Sequence, residues 1–327
     1  MTEQYLIDPK RKASLAGVER AAKKIADILP PTPLLPLEVG GKVIWCKAEC
    51  LQPIGAFKIR GGWHRLTDLT EEQRGNGVVG FSSGNHAQGV AWAAKKLGVK
   101  AIIIMPEDAP VAKLAATRAL GAEVITYDRM AGTREVLADE ISAKSGAVIV
   151  PSFDDPWVIE GQGSAGIEMK DQLQKRIGCV PDNIITCCGG GGLTSGVSLA
   201  NPDAHITLVE PEGWDDMGRS LDLGHIVAVE ENPQFTSCDA LQTLTVAAST
   251  FDILYERGVD HVSVSEAEIK AAMRIAFDKL HLVVEPGGAV ALAAAMAGKV
   301  ELTDATVLTL SGGNVDAKLY AEMLSVD

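Results

Sequence analysis

Short apolar runs alternate with stretches of helical periodicity along most of this chain of 327 residues. The run "VVGFSS" leads into the amphipathic "GNHAQGVAWAAKKLG", and the same order recurs in "KAIIIMP", "DAPVAKLAATRALG" and "AEVITYD". It resumes at "NIITCCGGGGLTSGVSLA", "HITLVEPE" and "ATVLTLSGG". This alternation predicts an α/β fold with open, mostly parallel twisted sheets flanked by helices. In such folds ligands bind at the carboxyl ends of the strands.

One strand–helix series is confined to the stretch from Ile54 to Val150. After it, "PSFDDPWVIEGQG" is typical of a loop that leads into a new helix. We therefore expect two domains. A small domain of residues 54–150 would be inserted into a large domain built from residues 1–53 and 151–327.

The composition excludes several classes of partner. The formal net charge is −13, and nucleic acid and anionic membranes are also negative, so neither is expected to bind. No basic segment followed by an apolar one opens the chain, as a secretory signal would require. The longest apolar runs are far shorter than a membrane span. We therefore expect a cytoplasmic protein.

The six cysteines do not form a metal-binding pattern. None lies in a C-x-x-C motif, and although Cys46 and Cys50 come near the spacing of zinc ligands, no second Cys or His pair would complete a site. Cys187 and Cys188 lie in an apolar run typical of a buried strand. We therefore expect reduced thiols and no structural zinc.

The segment "CCGGGGLTSG" (residues 187–196) is the most specific local signal. Successive glycines allow backbone N–H groups to close around an anion, and a helix that begins near Leu193 would add its positive end. A flexible linker is the alternative. The last glycine of a dinucleotide fingerprint is missing, and no Gly-Lys-Ser/Thr follows as in a nucleotide-triphosphate loop. A phosphomonoester cofactor therefore fits better than a dinucleotide.

A single lysine, Lys58, stands between glycines in "GAFKIRGG". By itself it is either a solvated charge or an amine held for chemistry. A phosphate-binding cup together with an isolated lysine suggests pyridoxal phosphate, whose aldehyde needs an amine with which to form a Schiff base.

Six segments in this order resemble the fold-type II pyridoxal-phosphate enzymes, the family that includes serine/threonine dehydratases and serine racemase. The segments are "GAFKIRGG", "SSGNHAQG", "PSFDDPWVIEGQG", "GGGGL", "VEPEGWDD" and "LSGGN". The resemblance covers almost the whole chain. It implies the tryptophan synthase β-like fold, an amino acid as the small-molecule substrate and a homodimer.

The resemblance also implies a role for each matching position. Lys58 would form the Schiff base and take the Cα proton, with Phe57 packed against the cofactor. Asn85 would hydrogen-bond the pyridine 3-oxygen, and Ser311 would face the pyridine nitrogen. The backbone amides implied to hold the phosphate are those of Gly189, Gly190, Gly191, Gly192 and Leu193.

The substrate carboxylate would be held by Ser82, Ser83, Gly84 and His86. Arg134 is either a substrate contact or an exposed helix arginine, and the segment "SCDALQT" (residues 237–243) is either a wall of the side-chain pocket or a loop. Glu285 either starts a core helix near the cofactor ring or has a purely structural role.

The implied activity is a dehydratase that converts a β-hydroxy amino acid such as L-threonine or L-serine to a 2-oxo acid and ammonia. A neutral hydroxyl at Ser311 weakens the cofactor as an electron sink, which favours β-elimination. Two alternatives stay open, a serine racemase and a threo-3-hydroxyaspartate dehydratase. In racemases the serine at position 83 acts as a second acid and base on the face opposite the lysine.

The segment "VEPEGWDDM" supplies only oxygen ligands, which suit Mg²⁺ or Ca²⁺ better than zinc. Relatives activated by a metal resemble this stretch. The resemblance implies that Glu210, Asp216 and the carbonyl of Trp214 hold Mg²⁺, or Ca²⁺ or Mn²⁺ in its place. The alternative is an acidic surface loop.

Overall fold

A computed structural model describes residues 11–82, 84–107, 109, 111–128 and 134–325 of the chain. Within them the strands are β1 (Leu34–Val39), β2 (Lys42–Ala48), β3 (Val78–Phe81), β4 (Ala101–Pro106), β5 (Glu123–Tyr127), β6 (Val148–Ile149), β7 (Asn183–Cys187), β8 (His205–Pro211), β9 (Asp260–Val264) and β10 (Thr306–Leu310).

The helices surround these strands. They are α1 (Leu15–Ala26), α2 (Lys58–Thr67), α3 (Glu71–Asn76), α4 (Asn85–Leu97), α5 (Val111–Ala119), α6 (Arg134–Ser145), α7 (Pro156–Ile177), α8 (Gly192–Ala200), α9 (Asp216–Leu223), α10 (Ala248–Glu256), α11 (Glu266–Leu280), α12 (Pro286–Met296) and α13 (Ala317–Leu324). Short 3-10 turns lie at Glu49–Leu51 and Asp239–Leu241.

The strands form two separate sheets. One has the order β1-β2-β10-β7-β8-β9 and the other the order β5-β4-β3-β6. Among the described strands only β1 and β2 pair antiparallel, and the other pairs are parallel. The α/β fold with two mostly parallel sheets flanked by helices is therefore confirmed.

The smaller sheet uses strands between residues 78 and 149, and the larger sheet uses strands from both sides of that stretch. This arrangement agrees with a small domain inserted into a large one. The boundaries at residues 54 and 150 stay predictions.

Local sequence signals fix several element ends. Gly98 ends α4 in the left-handed conformation with φ 66°, as its position after the last apolar residue indicated. Ser265 and Glu268 form a capping box at the start of α11. The helix α12, "PGGAVALAAAM", is apolar on every side and lies buried in the core of the larger sheet.

Helix α2 packs unusually close to its neighbours because glycines face each other at the contacts. A Cβ atom on Gly161 of α7 would lie 2.6 Å from the Cα of Gly61, and one on Gly62 would lie 2.7 Å from the carbonyl oxygen of Gly89 in α4. Real Cβ atoms do not come this close to backbone. Glycines that belong to the recognised segments thus serve helix packing here.

Buried charges hold α2 in the same position. The Arg60 guanidinium donates to both oxygens of Glu49 at 2.8 Å and to Glu168 at 2.7 Å. Further along the helix, Arg65 donates to Asp155 at 2.9 Å. Burial alone would raise the pKa of the Glu49 carboxyl, but Arg60 outweighs it and holds that pKa at about 2.

No helix within the described residues is long and apolar enough to cross a membrane. All six cysteines are free thiols, as expected.

The close packing of α2 predicts a large stability difference between two glycine substitutions. Gly161→Ala places a methyl group against the backbone of α2, and overpacking of this kind costs about 1–3 kcal/mol. Gly75→Ala is the control because a Cβ there meets nothing within 4 Å, and alanine is the better helix former. Urea unfolding should show a lower midpoint for Gly161→Ala and an unchanged or higher one for Gly75→Ala. Equal midpoints would refute tight packing at this contact.

Candidate active site

A cavity of about 350 Å³ lies where the carboxyl ends of β3, β6, β7 and β10 meet. It brings together most of the predicted site residues, which are Phe57, Lys58, Ser82, Gly84, Asn85, His86, Arg134, Gly189, Gly190, Gly191, Gly192, Leu193 and Ser311. Ser83 lies outside the described residues. A larger groove, of about 840 Å³, lies at the amino ends of β7, β8 and β9 and contains none of the predicted residues.

Lys58 is the first residue of α2, so its side chain extends from the helix start into the cavity. Its Nζ atom donates a hydrogen bond to the carbonyl oxygen of Ser152 at 2.8 Å and lies 5.1 Å from the centre of the Phe57 ring. Burial lowers the pKa of the amine to about 8, although the nearby Cys187 opposes the shift. Near neutral pH about one amine in ten is therefore unprotonated.

Four glycines form one wall of the cavity, and the packing leaves no room for side chains on two of them. A Cβ on Gly190 would lie 2.2 Å from the Phe153 ring, and one on Gly191, whose φ is +84°, would lie 2.8 Å from the Met217 methyl. Helix α8 begins at Gly192, so the N–H groups of its first turn have no partner inside the helix. This cradle fits a phosphate group.

Asn85 and Ser311 enter the cavity from opposite sheets. Asn85 starts α4 after β3, and Ser311 follows β10. The Asn85 Nδ2 atom donates to Glu285 at 2.6 Å, and its Oδ1 atom accepts from Asn314 at 2.8 Å. Ser311 lies near the Cys187 thiol, whose pKa burial raises to about 11. The thiol therefore stays neutral beside Lys58.

The predicted carboxylate cup lies at the start of α4. Gly84 is the residue before the helix, and its N–H donates to the Ser82 hydroxyl at 3.2 Å. The His86 ring is buried and donates from Nε2 to the carbonyl oxygen of Val150 at 2.8 Å. Burial, helped by the Lys58 charge, lowers the pKa of this imidazole to about 3. His86 is thus neutral, and its backbone N–H, not its ring, is the group able to donate to a carboxylate.

Two cationic side chains line the cavity on the side of the smaller sheet. Arg134 donates to Glu135 at 2.8 Å, and its side chain is 45% exposed. Lys113 of α5 forms an ion pair with Asp239, which lies across the cavity in the 3-10 turn. The wall from Asp239 to Thr243 belongs to the segment that the sequence suggested as a side-chain pocket.

Sequence reasoning missed Lys113 as part of this site and assigned no role to Phe153 or Asn314. None was singled out by a local pattern that indicates a ligand contact, because their partners in the cavity come from distant parts of the chain. Only the topology of the two sheets brings them together.

The predicted metal ligands lie outside the cavity, from the end of β8 to the start of α9. Glu210 and Asp216 are both 1% exposed. Glu210 accepts from the backbone N–H groups of Met217 and Gly218 at 3.1 and 2.9 Å, whereas one oxygen of Asp216 has no partner among the described residues. Burial raises the pKa of both carboxyls, that of Asp216 to about 7. The described residues contain no group of three or more His, Cys, Asp or Glu side chains arranged to hold a metal.

Comparison with known proteins finds similarity over nearly the whole chain. Residues 25–312 match the family described as pyridoxal-phosphate dependent enzyme. Serine racemase of Schizosaccharomyces pombe is 40% identical over 94% of this chain and 96% of its own length. L-threo-3-hydroxyaspartate ammonia-lyase of Saccharomyces cerevisiae is 38% identical over 93% and 94%.

Solved structures are similar to the same extent. A threonine deaminase from T.th. superimposes with a TM-score of 0.85 at 42% identity, and the match covers 93% of this chain and 99% of that one. Maize serine racemase gives a TM-score of 0.86 at 33% identity, with 96% and 97% covered.

The lowered pKa of Lys58 predicts a distinct labelling profile in the ligand-free protein. Only the neutral amine reacts with acylating reagents, so modification of Lys58 should rise as pH passes through about 8. A lysine with an ordinary pKa near 10.4 needs correspondingly higher pH. Mass spectrometry of the peptide that contains Lys58 measures the profile. Half-maximal labelling at about pH 10 or above, the ordinary range, would contradict the burial of the amine.

Proposed function

Because the chain belongs to the family of pyridoxal-phosphate-dependent enzymes, we propose that it is a lyase that converts a β-hydroxy amino acid such as L-threonine or L-serine to a 2-oxo acid and ammonia. The observation that carries this proposal is the shared cavity. One half-buried amine, a cradle for phosphate and two polar side chains for a heteroaromatic ring line the same 350 Å³ space.

The residues of the cavity fit pyridoxal phosphate part by part. The amides from Gly189 to Leu193 would hold its phosphate, Asn85 and Ser311 would hold the two polar positions of its ring, and Lys58 would bind its aldehyde. When bound, the cofactor supplies a carbonyl for the amino group and an electron sink for the Cα–H bond.

Lys58 performs the proton transfer in this proposal. With its Nζ atom free, the lowered pKa of this amine would make it a base at neutral pH. The Ser152 carbonyl oxygen, 2.8 Å from Nζ, orients the amine. The Cα proton moves to Nζ, and the β-hydroxyl leaves with a proton as water. The released enamine takes up one water and yields the 2-oxo acid and ammonia.

The backbone amides at the start of α4 would bind the α-carboxylate of the substrate. Helix N-termini favour anions, and the neutral His86 ring adds no charge there. The Ser311 hydroxyl would be a neutral partner for the ring and would thereby favour elimination.

A second candidate substrate is threo-3-hydroxyaspartate. Its support is the pair of cationic side chains, Lys113 and Arg134, on the cavity wall, together with the 38% identity to the yeast L-threo-3-hydroxyaspartate ammonia-lyase. The similarity to serine racemases supports racemisation of serine as a third outcome. The homodimer and the cytoplasmic location stay predictions from the sequence.

The reaction predicts a specific effect of removing the amine. The purified holoenzyme should release 2-oxo acid from one or more of L-serine, L-threonine and threo-3-hydroxyaspartate, and Lys58→Ala should lower turnover by about 10²–10⁴-fold because it removes the base. Lys144→Ala is the control, since that side chain is 79% exposed and remote from the cavity. Full turnover in Lys58→Ala would refute the assignment. Chiral chromatography of the serine reaction separates racemisation from elimination.

We propose in addition that Glu210, Asp216 and the carbonyl of Trp214 bind Mg²⁺. Two buried carboxyls side by side, one with an unpartnered oxygen among the described residues, fit a hard cation. The ion would compensate their burial and tie the segment before α9 to the end of β8.

Metal binding predicts a chelator-dependent stability. EDTA should lower the melting temperature and added Mg²⁺ should restore it, since a ligand at about 100 times its Kd stabilises a protein by about 2.7 kcal/mol. Asp216→Asn should no longer respond to either addition. A wild-type melting temperature indifferent to EDTA and Mg²⁺ would rule out the site.

A further inference from the structure

The side-chain amide of Asn85 is held from both sides by residues far away in sequence. Asn314 Nδ2 donates to Asn85 Oδ1 at 2.8 Å, and Asn85 Nδ2 donates to Glu285 Oε1 at 2.6 Å. Asn85 and Glu285 are buried and line the cavity, and Asn314 is half-buried behind them. The result is a chain of hydrogen bonds that runs Asn314, Asn85, Glu285.

The hydrogen bonds from Asn314 through Asn85 to Glu285 can run in only one direction. Asn314 Nδ2 also lies 2.7 Å from the carbonyl oxygen of Ile54, which can only accept a hydrogen bond. The Asn314 atom must therefore be the nitrogen, and the Asn85 atom facing it must be the oxygen. It follows that the nitrogen of Asn85 faces Glu285. Of its two N–H bonds, one is donated to Glu285 and the other is left for an acceptor in the cavity.

Two motif glycines make room for this arrangement. A Cβ on Gly312 would lie 2.0 Å from Glu285 Oε1, and one on Gly55 would lie 2.5 Å from Asn314 Oδ1. The two glycine segments are themselves joined, because the N–H of Gly313 donates to the carbonyl oxygen of Gly55 at 2.8 Å. The glycines in "IGAFK" and "SGGN" thus serve the hydrogen-bonded chain as well as the turns.

We infer that Glu285 and Asn314 are positioning residues that fix the Asn85 amide with one N–H directed to the ring oxygen of the cofactor. The inference rests on the proposed cofactor site. Asn314 is itself oriented by the Ile54 carbonyl oxygen and thereby determines that the Asn85 oxygen faces it. The hydrogen bond to Glu285 prevents the Asn85 amide from rotating. Neither needs to touch the cofactor.

Glu285 also has a second, unused oxygen. Oε2 is buried without a partner among the described residues. Burial, reinforced by the charge of Asp239, raises the pKa of this carboxyl to about 7, and Asn85 and Lys113 oppose the shift. A proton on Oε2 leaves Oε1 free to accept from Asn85. As pH rises through about 7, Glu285 gains a negative charge beside the Asn85 amide.

Other titratable groups also face Glu285. They are Asp239 of the 3-10 turn, Lys113 of α5, and the thiols of Cys50, Cys187 and Cys238. Burial raises the pKa of each thiol to about 11 or above, so none of them changes charge near neutral pH. The pKa of Lys58 is about 8, but this amine titrates equally in a Glu285 variant.

The test uses the holoenzyme without substrate and measures the cofactor dissociation constant and visible absorbance from about pH 5.5 to about pH 8.5, which brackets the Glu285 transition. Glu285→Ala and Asn314→Ala should weaken cofactor binding about tenfold or more, because each loses a hydrogen bond of about 1.5 kcal/mol or more. Both variants should also shift the absorbance maximum of the bound cofactor. Glu285→Gln should bind nearly as well, because its Oε1 still accepts from Asn85. It should lack the weakening of binding that is expected of the wild type above about pH 7.

Asn201→Ala controls for the loss of a buried asparagine, since that amide donates to the Val197 carbonyl oxygen at the end of α8, away from the cavity. It should lower the melting temperature without changing the absorbance or its pH dependence. If Glu285→Ala and Asn314→Ala keep the wild-type spectrum and dissociation constant, or if Glu285→Gln keeps the wild-type pH profile, the inference is wrong. Failure of the wild type itself to take up the cofactor would instead overturn the proposed function together with the inference.

Discussion

The buried guanidinium of Arg60 connects the parts of the protein on which the cavity depends. It lies two residues after Lys58 and is bonded to Glu49, which follows β2, and to Glu168 in α7. The helix that carries the amine is thereby fixed to the larger sheet and to the longest described helix at once. Removal of one partner from a buried ion pair costs about 3–5 kcal/mol because the other charge is left without compensation. Facing glycines between α2, α4 and α7 add a second constraint, since they let backbones meet.

Burial has a common effect on the titratable side chains of the cavity, which is to favour their uncharged forms. It moves the pKa of Lys58 down to about 8, that of His86 down to about 3 and that of Glu285 up to about 7. In such a cavity the anionic parts of a ligand would be bound by backbone N–H groups at the starts of α4 and α8. It leaves the lysine able to act as a nucleophile and base, which a charged amine cannot do.

The sequence contained enough information for the fold and for the centre of the site. Strand–helix alternation predicted parallel sheets, and the turns after β3, β7 and β10 are the three glycine- or serine-rich segments in which ligand contacts were expected. These signals work because they are local, since an apolar run, a helix period and a glycine cluster each need only about ten residues to be recognised.

Other parts of the site depend on contacts between residues that are far apart in sequence, which a local sequence pattern cannot predict. Glu285 and Asn314 lie 200 and 229 residues from Asn85, the amide that they hold, and the pair of Lys113 with Asp239 joins positions 126 residues apart. The glycines of α2 and α7 belonged to recognised segments, but their role in helix packing emerges only where two backbones meet. Ser83, the residue implied to act as the second acid and base of a racemase, lies outside the described residues.

Lys58 is proposed to be the amine that binds the cofactor in this cavity. Borohydride reduction of the holoenzyme makes the bond between lysine and cofactor permanent, and peptide mass spectrometry then identifies the modified residue. The structure predicts one cofactor mass per chain, on the peptide that contains Lys58. Modification of a different lysine, or a holoenzyme with no reducible bond, would contradict it.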